Sequence, residues 1–325
     1  MRTARILITL LSGVFASALA LAQTFPAKQV NLMVPYPAGG LSDTIARMVN
    51  TPLAKQLGQP VVIENLGGVS GAIGAQKVLS APSDGYYLFQ GSPNELILSP
   101  LANAAVKFRS EDFRLVQMIG VANMVVFARK DLPATTFDDL ITLARNSKTK
   151  NLSFASVGVG SFYHLLGEHL GKTIGATMVH VPYKGFSDLL PNLVSGEIDF
   201  VMLPFSKSFA ELAATGRIKA IATLSAKRLD TLKDVPSVSE ARLIKNFNFD
   251  IWTGYFVKKD TPEAIVQTYH KALTEVLTDA GVRASLTAQS LDVATPLSLA
   301  DAAKTYQAGT EQFRAIAKSI NLQPQ

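Results

Sequence analysis

Tyr36-Pro37-Ala38-Gly39-Gly40-Leu41-Ser42-Asp43 joins an apolar run, Val30 to Val34, to a segment with apolar residues at Ile45, Met48, Val49, Leu53 and Leu57. The run reads as a buried strand. The segment reads as an amphipathic helix ended by Gly58, with Pro52 expected to kink it. A Gly-rich turn between strand and helix aims backbone N–H groups and the positive end of the helix dipole at one point, which suits an anion held without a metal. Pro35 and Pro37 stiffen the turn around Tyr36, and Gly39 and Gly40 let the backbone approach a ligand closely. Ser42 or Asp43 can cap the helix, and an ordinary βα loop with a good cap has the same appearance. A second turn of this kind, Ser156-Val157-Gly158-Val159-Gly160-Ser161, lies in the other half of the chain. Two such turns form the jaws of a clamp.

The alternation around both turns sets the fold class. Strands are expected at Val61 to Ile63 and, after a Pro82-Ser83-Asp84-Gly85 turn, at Tyr86 to Phe89. The rhythm recurs as a strand at Leu152 to Ala155, a helix at Phe162 to Leu170 and a strand at Met178 to Val181, with further buried strands at Phe200 to Leu203 and Ala220 to Leu224. This βα pattern predicts an α/β protein with a mostly parallel sheet in each of two domains. Phe127-Ala128-Arg129-Lys130-Asp131-Leu132-Pro133 echoes Phe256-Val257-Lys258-Lys259-Asp260-Thr261-Pro262, and each follows a strand-like run. They read as two hinge strands. Residues 23–122 and 256–325 would form one domain, and 123–255 a second domain inserted in it. The chain from Ala264 onward is helical in pattern and should pack back on the first domain.

Arg2 and Arg5, the apolar run Ile6 to Leu19 and the small-residue site Ala20-Leu21-Ala22 read as a signal peptide over residues 1–22, so export to the periplasm is expected. The chain of 325 residues contains no Cys, which excludes a lipid anchor on cysteine, disulfides and thiol-based metal or redox chemistry. The formal charge of +6 falls to +4 once Arg2 and Arg5 are removed, and the basic residues are scattered, which argues against a nucleic-acid partner.

Several motifs have the outline of other chemistry. Gly68-Val69-Ser70-Gly71-Ala72-Ile73-Gly74 has its glycines at G-x-x-G-x-x-G spacing, unlike a dinucleotide fingerprint, and no acidic residue follows for a ribose. Ser70 lacks a nucleophile-elbow frame because Ala72 occupies the last glycine's place. His169 stands about 140° around the helix from His164, so His164, Glu168 and His169 do not form a metal face. No metal or cofactor is expected. His164, in the first helical turn after the second Gly-rich loop, either contacts the ligand or packs. Tyr183 and Lys184 follow one strand, Ser92 and Asn94 another, and Phe205 a third; ligands of open α/β sheets lie outside such strand ends. No Ser-His-Asp, paired-carboxylate or phosphate-loop arrangement emerges, so the site binds without an evident general base.

The chain resembles the Bug family of periplasmic solute receptors. The resemblance rests on the Tyr36–Asp43 turn followed by Ile45-Ala46-Arg47, on Leu57 to Asn65, Gly67 to Gly74, Asp84-Gly85-Tyr86, Val181 to Gly185 and Asp234 to Glu240. It implies a type II periplasmic-binding-protein fold and a monomer that clamps a solute carboxylate and delivers it to the membrane subunits of a tripartite tricarboxylate transporter. Dicarboxylates, amino acids and aromatic acids are all open as solutes. Carried over by position, the carboxylate loops are Tyr36–Asp43 and Ser156–Ser161; with the residues singled out above, the expected ligand-binding set is Tyr36, Ala38, Gly39, Gly40, Ser42, Asp43, Ser92, Asn94, Ser156, Val159, Gly160, Ser161, His164, Tyr183, Lys184 and Phe205. Ala38 replaces a proline common in the family, and Leu203-Pro204-Phe205-Ser206 departs from its acidic-plus-small pattern. The alternatives are a sensor that signals to a membrane kinase, and a hydrolase using Ser70 or Ser156.

Overall fold

The computed structural model describes residues 25–146, 151–319 and 322–324. The expected signal peptide lies outside them. Strand β1 (Val30–Val34) leads through the opening turn into helix α1 (Leu41–Leu57), which runs unbroken through Pro52 and ends at a left-handed Gly58. Then come β2 (Val61–Asn65), α2 (Ala72–Ser80) and β3 (Tyr87–Gly91), with β1 paired in parallel to both β2 and β3. A wide helical turn, Asn94–Leu98, continues into α3 (Ser99–Ala102).

Strand β4 (Phe113–Arg129) is 17 residues long and connects two lobes. Its partners change at Asn123: residues Phe113 to Asn123 pair with β9, and Met124 to Arg129 with β7 and β8. The second lobe holds α4 (Phe137–Arg145), β5 (Ser153–Ser156), α5 (Phe162–Ile174), β6 (Val179–Pro182), α6 (Phe186–Ser195), β7 (Phe200–Pro204), α7 (Lys207–Ala214) and β8 (Ile218–Thr223). The chain returns to the first lobe as β9 (Asp250–Lys258), α8 (Glu263–Thr278), α9 (Ala280–Thr287), β10 (Leu291–Val293) and α10 (Leu299–Ser319). The sheet order is β2-β1-β3-β9-β4-β7-β5-β6, with β8 and β10 also on β4.

Each lobe has the expected parallel set, β2-β1-β3 and β6-β5-β7, joined by helices. The strands between these sets are antiparallel, because β4 and β9 carry the chain across and back rather than through a helical crossover. The fold is the mixed α/β architecture of type II periplasmic binding proteins. The C-terminal helices pack on the first lobe as expected: the Gln117 amide donates to Thr274 Oγ1 on α8 at 3.1 Å, and Tyr306 on α10 donates to the Ser110 carbonyl at 2.8 Å. Buried aromatics fill both cores, among them Phe89, Tyr255 and Tyr269 in the first lobe and Phe127 stacked at 4.6 Å on Phe209 in the second.

Candidate functional site

A cavity lies where the lobes face each other. The first lobe contributes Tyr36, Pro37, Gly40, Leu41, Ser42, Ile45, Ser92, Asn94, Ala122, Ile251, Trp252, Thr253 and Leu291 to its wall, and the second Val157, Tyr163, Phe186 and Pro204. Its volume is about 50 Å³. The space is therefore narrow and suits a small solute.

The opening turn delivers Tyr36, Gly40 and Ser42 to this wall, and the chain after β3 delivers Ser92 and Asn94. The helix cap differs from expectation. Gly40 is the N-cap of α1 and offers no side chain, so the first N–H groups of the helix keep their donors at the cavity. Asp43 is buried, and its Oδ2 accepts from the Gly39 N–H at 2.9 Å and from Arg47 Nε at 2.8 Å. Burial alone would raise the Asp43 carboxyl, but the Arg47 and Gly39 hydrogen bonds outweigh it and hold the group below its ordinary range. Asp43 and Gly39 thus shape the loop and do not form the cavity wall; exposed Ala38 is also off it.

Glu95, which the sequence reading did not single out, lies directly behind the wall. It is 1% exposed. The Tyr36 hydroxyl donates to its Oε2 at 2.9 Å, the Ser92 hydroxyl at 3.0 Å, and the Ser92 N–H bonds its Oε1. Burial pushes its carboxyl up to about 7, against the pull of these bonds. The available signal was one acidic residue followed by Leu96-Ile97-Leu98, where a solvated charge would be out of place.

The second turn has a different part from the one expected. Three of its N–H groups are engaged within the lobe: Gly158 N with Ser156 Oγ at 3.1 Å, Gly160 N with His164 Nδ1 at 3.1 Å, Ser161 N with the Gly158 carbonyl at 3.2 Å. Ser161 caps α5 through His164 N at 3.3 Å. Ser156 is fully buried, with its Oγ 2.7 Å from His180 Nε2, and His180 stacks on His164 with ring centres 4.0 Å apart. Burial lowers His164 to about 4, and burial with the neighbouring His164 ring lowers His180 to about 3. His164 is therefore a packed neutral support of the turn.

What this turn touches is the other lobe. The Ser70 hydroxyl donates to the Val159 carbonyl at 2.8 Å, and Phe162 N donates to Asn94 Oδ1 at 2.7 Å. Gly158 takes φ +131°, and a Cβ there would come within 2.7 Å of Ser70 Oγ. At Gly185 a Cβ would meet Pro37 Cδ at 2.7 Å. The cleft is closed.

The cavity wall excludes several other expected residues. Ser156, Val159, Gly160, Ser161 and His164 are not part of it, and Val157 alone represents their loop. Tyr183 and exposed Lys184 follow β6 just ahead of Gly185 and are not among the wall residues. Phe205 is buried behind the wall, with its ring stacked 6.4 Å from Phe127, while its neighbour Pro204 takes the wall position. Alternation of the extended chain accounts for the exchange: Phe205 directly follows the last residue of β7, and successive extended residues face opposite sides. Tyr163, Phe186, Ile251 and Leu291 were not foreseen, since each looks like ordinary core in sequence.

Residues 45–322 match the model of the tripartite tricarboxylate transporter family receptor. This chain belongs to that family. A protein encoded in the TAR-I ttuE-ttuC' intergenic region of Agrobacterium vitis is 36% identical over 279 residues, covering 85% of this chain and 79% of the relative. The periplasmic binding protein BugD superposes with a TM-score of 0.85 at 27% identity, covering 93% of this chain and all of BugD. MatC of Rhodopseudomonas palustris, solved with bound malate, gives 0.83 at 28% identity over 90% of this chain and 99% of MatC. The receptor family is one of periplasmic solute-binding proteins rather than a class of enzymes. Among the described residues no helix is long and apolar enough to cross a membrane.

Proposed function

We propose that this receptor captures a small carboxylate in the cavity between its lobes and delivers it to the membrane subunits of a tripartite transporter. The observation that carries the reading is the uncapped N-terminus of α1, with Gly40, Leu41 and Ser42 on the wall of an enclosed cleft. A helix start without a side-chain cap places donors and positive potential where a carboxylate can accept them. Ser42, Ser92 and Asn94 would complete the grip. The malate bound in MatC supports the solute class.

The energetics are adequate. Micromolar capture requires about 8 kcal/mol. Hydrogen bonds to a charged group contribute roughly 1.5–3 kcal/mol each, which with apolar burial covers the ordering cost. Neutral donors also avoid burying a fixed cation when the cleft is empty. In this reading residues 1–22 are removed on export to the periplasm. The lobes open about β4 at Asn123, with domains near 23–122 plus 256–325 and 123–255. Because β9 pairs with the first lobe along its whole length, we draw the return crossing just ahead of Asp250.

A thermal-shift screen of ligand-stripped protein against carboxylates tests the reading. A binder at a hundredfold excess over its Kd should stabilise by about 2.7 kcal/mol. Stabilisation by uncharged compounds alone would sink it.

A further inference from the structure

The two ends of the cavity differ in chemistry. Resting on the carboxylate reading of this same site, we propose that the solute is a monocarboxylate with an apolar body, such as a branched-chain or aromatic acid, and not a dicarboxylate or an amino acid.

Strand register locates the ends. Ala122 on β4 is the direct partner of Ile251 on β9 and of Leu291 on β10, and Pro204 on β7 pairs with Met124 two residues further along β4. These four residues, all buried, form one apolar end where the lobes join. The polar wall groups gather at the other end. Thr253 pairs with Gly120 and donates to the Gly91 carbonyl beside Ser92, while Ser92 and Tyr36 share Glu95. The start of α6, whose N-cap Gly185 also lacks a side chain, comes in beside Pro37 and therefore belongs to this polar end too.

No Lys, Arg, His, Asp or Glu stands among the described residues of the wall. A second carboxylate at the apolar end would lose its hydration and meet no cation among the described wall residues, a costly way to bury a charge. It would also add negative charge to a site already backed by Asp43 and Glu95. An ammonium group fares no better, since Glu95 is engaged behind Tyr36 and Ser92 rather than presented to the cavity. The narrow free space favours a single compact apolar unit on the carboxylate.

Isothermal titration of the purified, ligand-stripped protein decides the matter, with benzoate, 4-methylpentanoate, malate, adipate, leucine, benzyl alcohol and 4-methylpentanol as probes. At least one monocarboxylate should bind tenfold or more tighter than malate and adipate, and leucine should bind more weakly than its desamino isostere 4-methylpentanoate. Malate or adipate binding as tightly as the best monocarboxylate overturns the inference and leaves the carboxylate reading standing. Alcohols binding as tightly as the matching acids overturn the carboxylate reading, and with it the inference; so does failure of every probe. Leu291→Lys, on the short edge strand β10, should shift the preference toward dicarboxylates by tenfold or more. A folded Leu291→Lys protein with an unchanged order of affinities counts against the assigned apolar end, and the wild-type comparison holds whether or not that variant folds.

Discussion

Ser70 Oγ donates to the Val159 carbonyl at 2.8 Å, and this bond joins the two lobes. Ser70 is 1% exposed and takes φ +51°, next to Val69 at φ +50°. A β-branched residue in the left-handed region is costly, so the turn Val69–Gly71 is held in place by its surroundings, including the Ser99 hydroxyl on the Val69 carbonyl at 2.8 Å. The Gly68–Gly74 motif thus serves closure and not a nucleotide. Ser70→Ala should raise the Kd of any cleft ligand roughly two- to tenfold, the net worth of one hydrogen bond. Gly158→Ala should weaken binding more, because its Cβ would strike Ser70 and its φ strains any other residue. Titration calorimetry with small-angle scattering checks both; unchanged affinity in both variants would remove the latch.

Glu95 should make binding depend on pH near neutrality. Its carboxyl titrates at about 7, and a bound carboxylate favours its protonated form. Affinity should therefore fall as pH rises from 6 to 8, about tenfold for each unit by which binding raises the Glu95 pKa. Because the folded value lies above the ordinary one, the group's stabilising share is complete below about 4.5 and is lost as pH rises through about 7. Glu95→Gln should flatten both profiles; a binding profile as steep as wild type in that variant would place the titrating group elsewhere.

His164 works in the opposite sense. Its Nδ1 accepts from Gly160 N, which requires the neutral ring, and burial lowers its pKa to about 4. Its contribution is present above the ordinary histidine value of about 6.5 and is lost as pH falls through about 4. Denaturant titrations across this range should show a shallower acid loss in His164→Gln than in wild type.

Asp199 ties the second lobe together. It accepts from Arg129 Nε at 2.8 Å, from Ser153 N at 2.8 Å and from the Ser153 hydroxyl at 3.0 Å. Arg129 is 27% exposed, so the ion pair is only partly shielded from water. Asp199→Ala should cost about 2 kcal/mol through the unpaired Ser153 groups and the lost pair. A melting temperature within a degree of wild type would contradict this.

The sequence carried the local half of the architecture well. Gly58 after helical spacing marked the end of α1, and the alternation around Leu152 to Val181 marked β5, α5 and β6. The echo of Phe127–Pro133 in Phe256–Pro262 falls at the ends of β4 and β9, but of these two strands only β4 changes partners from one lobe to the other, at Asn123. What it could not show is which side of β7 faces the cleft, since Pro204 and Phe205 are adjacent and both apolar. Nor could it show that a deeper partner, Glu95, claims Tyr36 and Ser92.

By itself the sequence determined the strand–turn–helix units, the glycines at their turns, the absence of thiol chemistry and the membership of a receptor family. These follow from periodicity, dihedral preference and composition, which act over a few residues. The tertiary structure alone decided that one Gly-rich turn lines the cleft while the other latches it, and that Ala122, Ile251, Leu291 and Pro204 meet at one apolar end. Those outcomes depend on register and on contact between residues up to about 170 positions apart, such as Ala122 and Leu291, and no local preference encodes such a meeting.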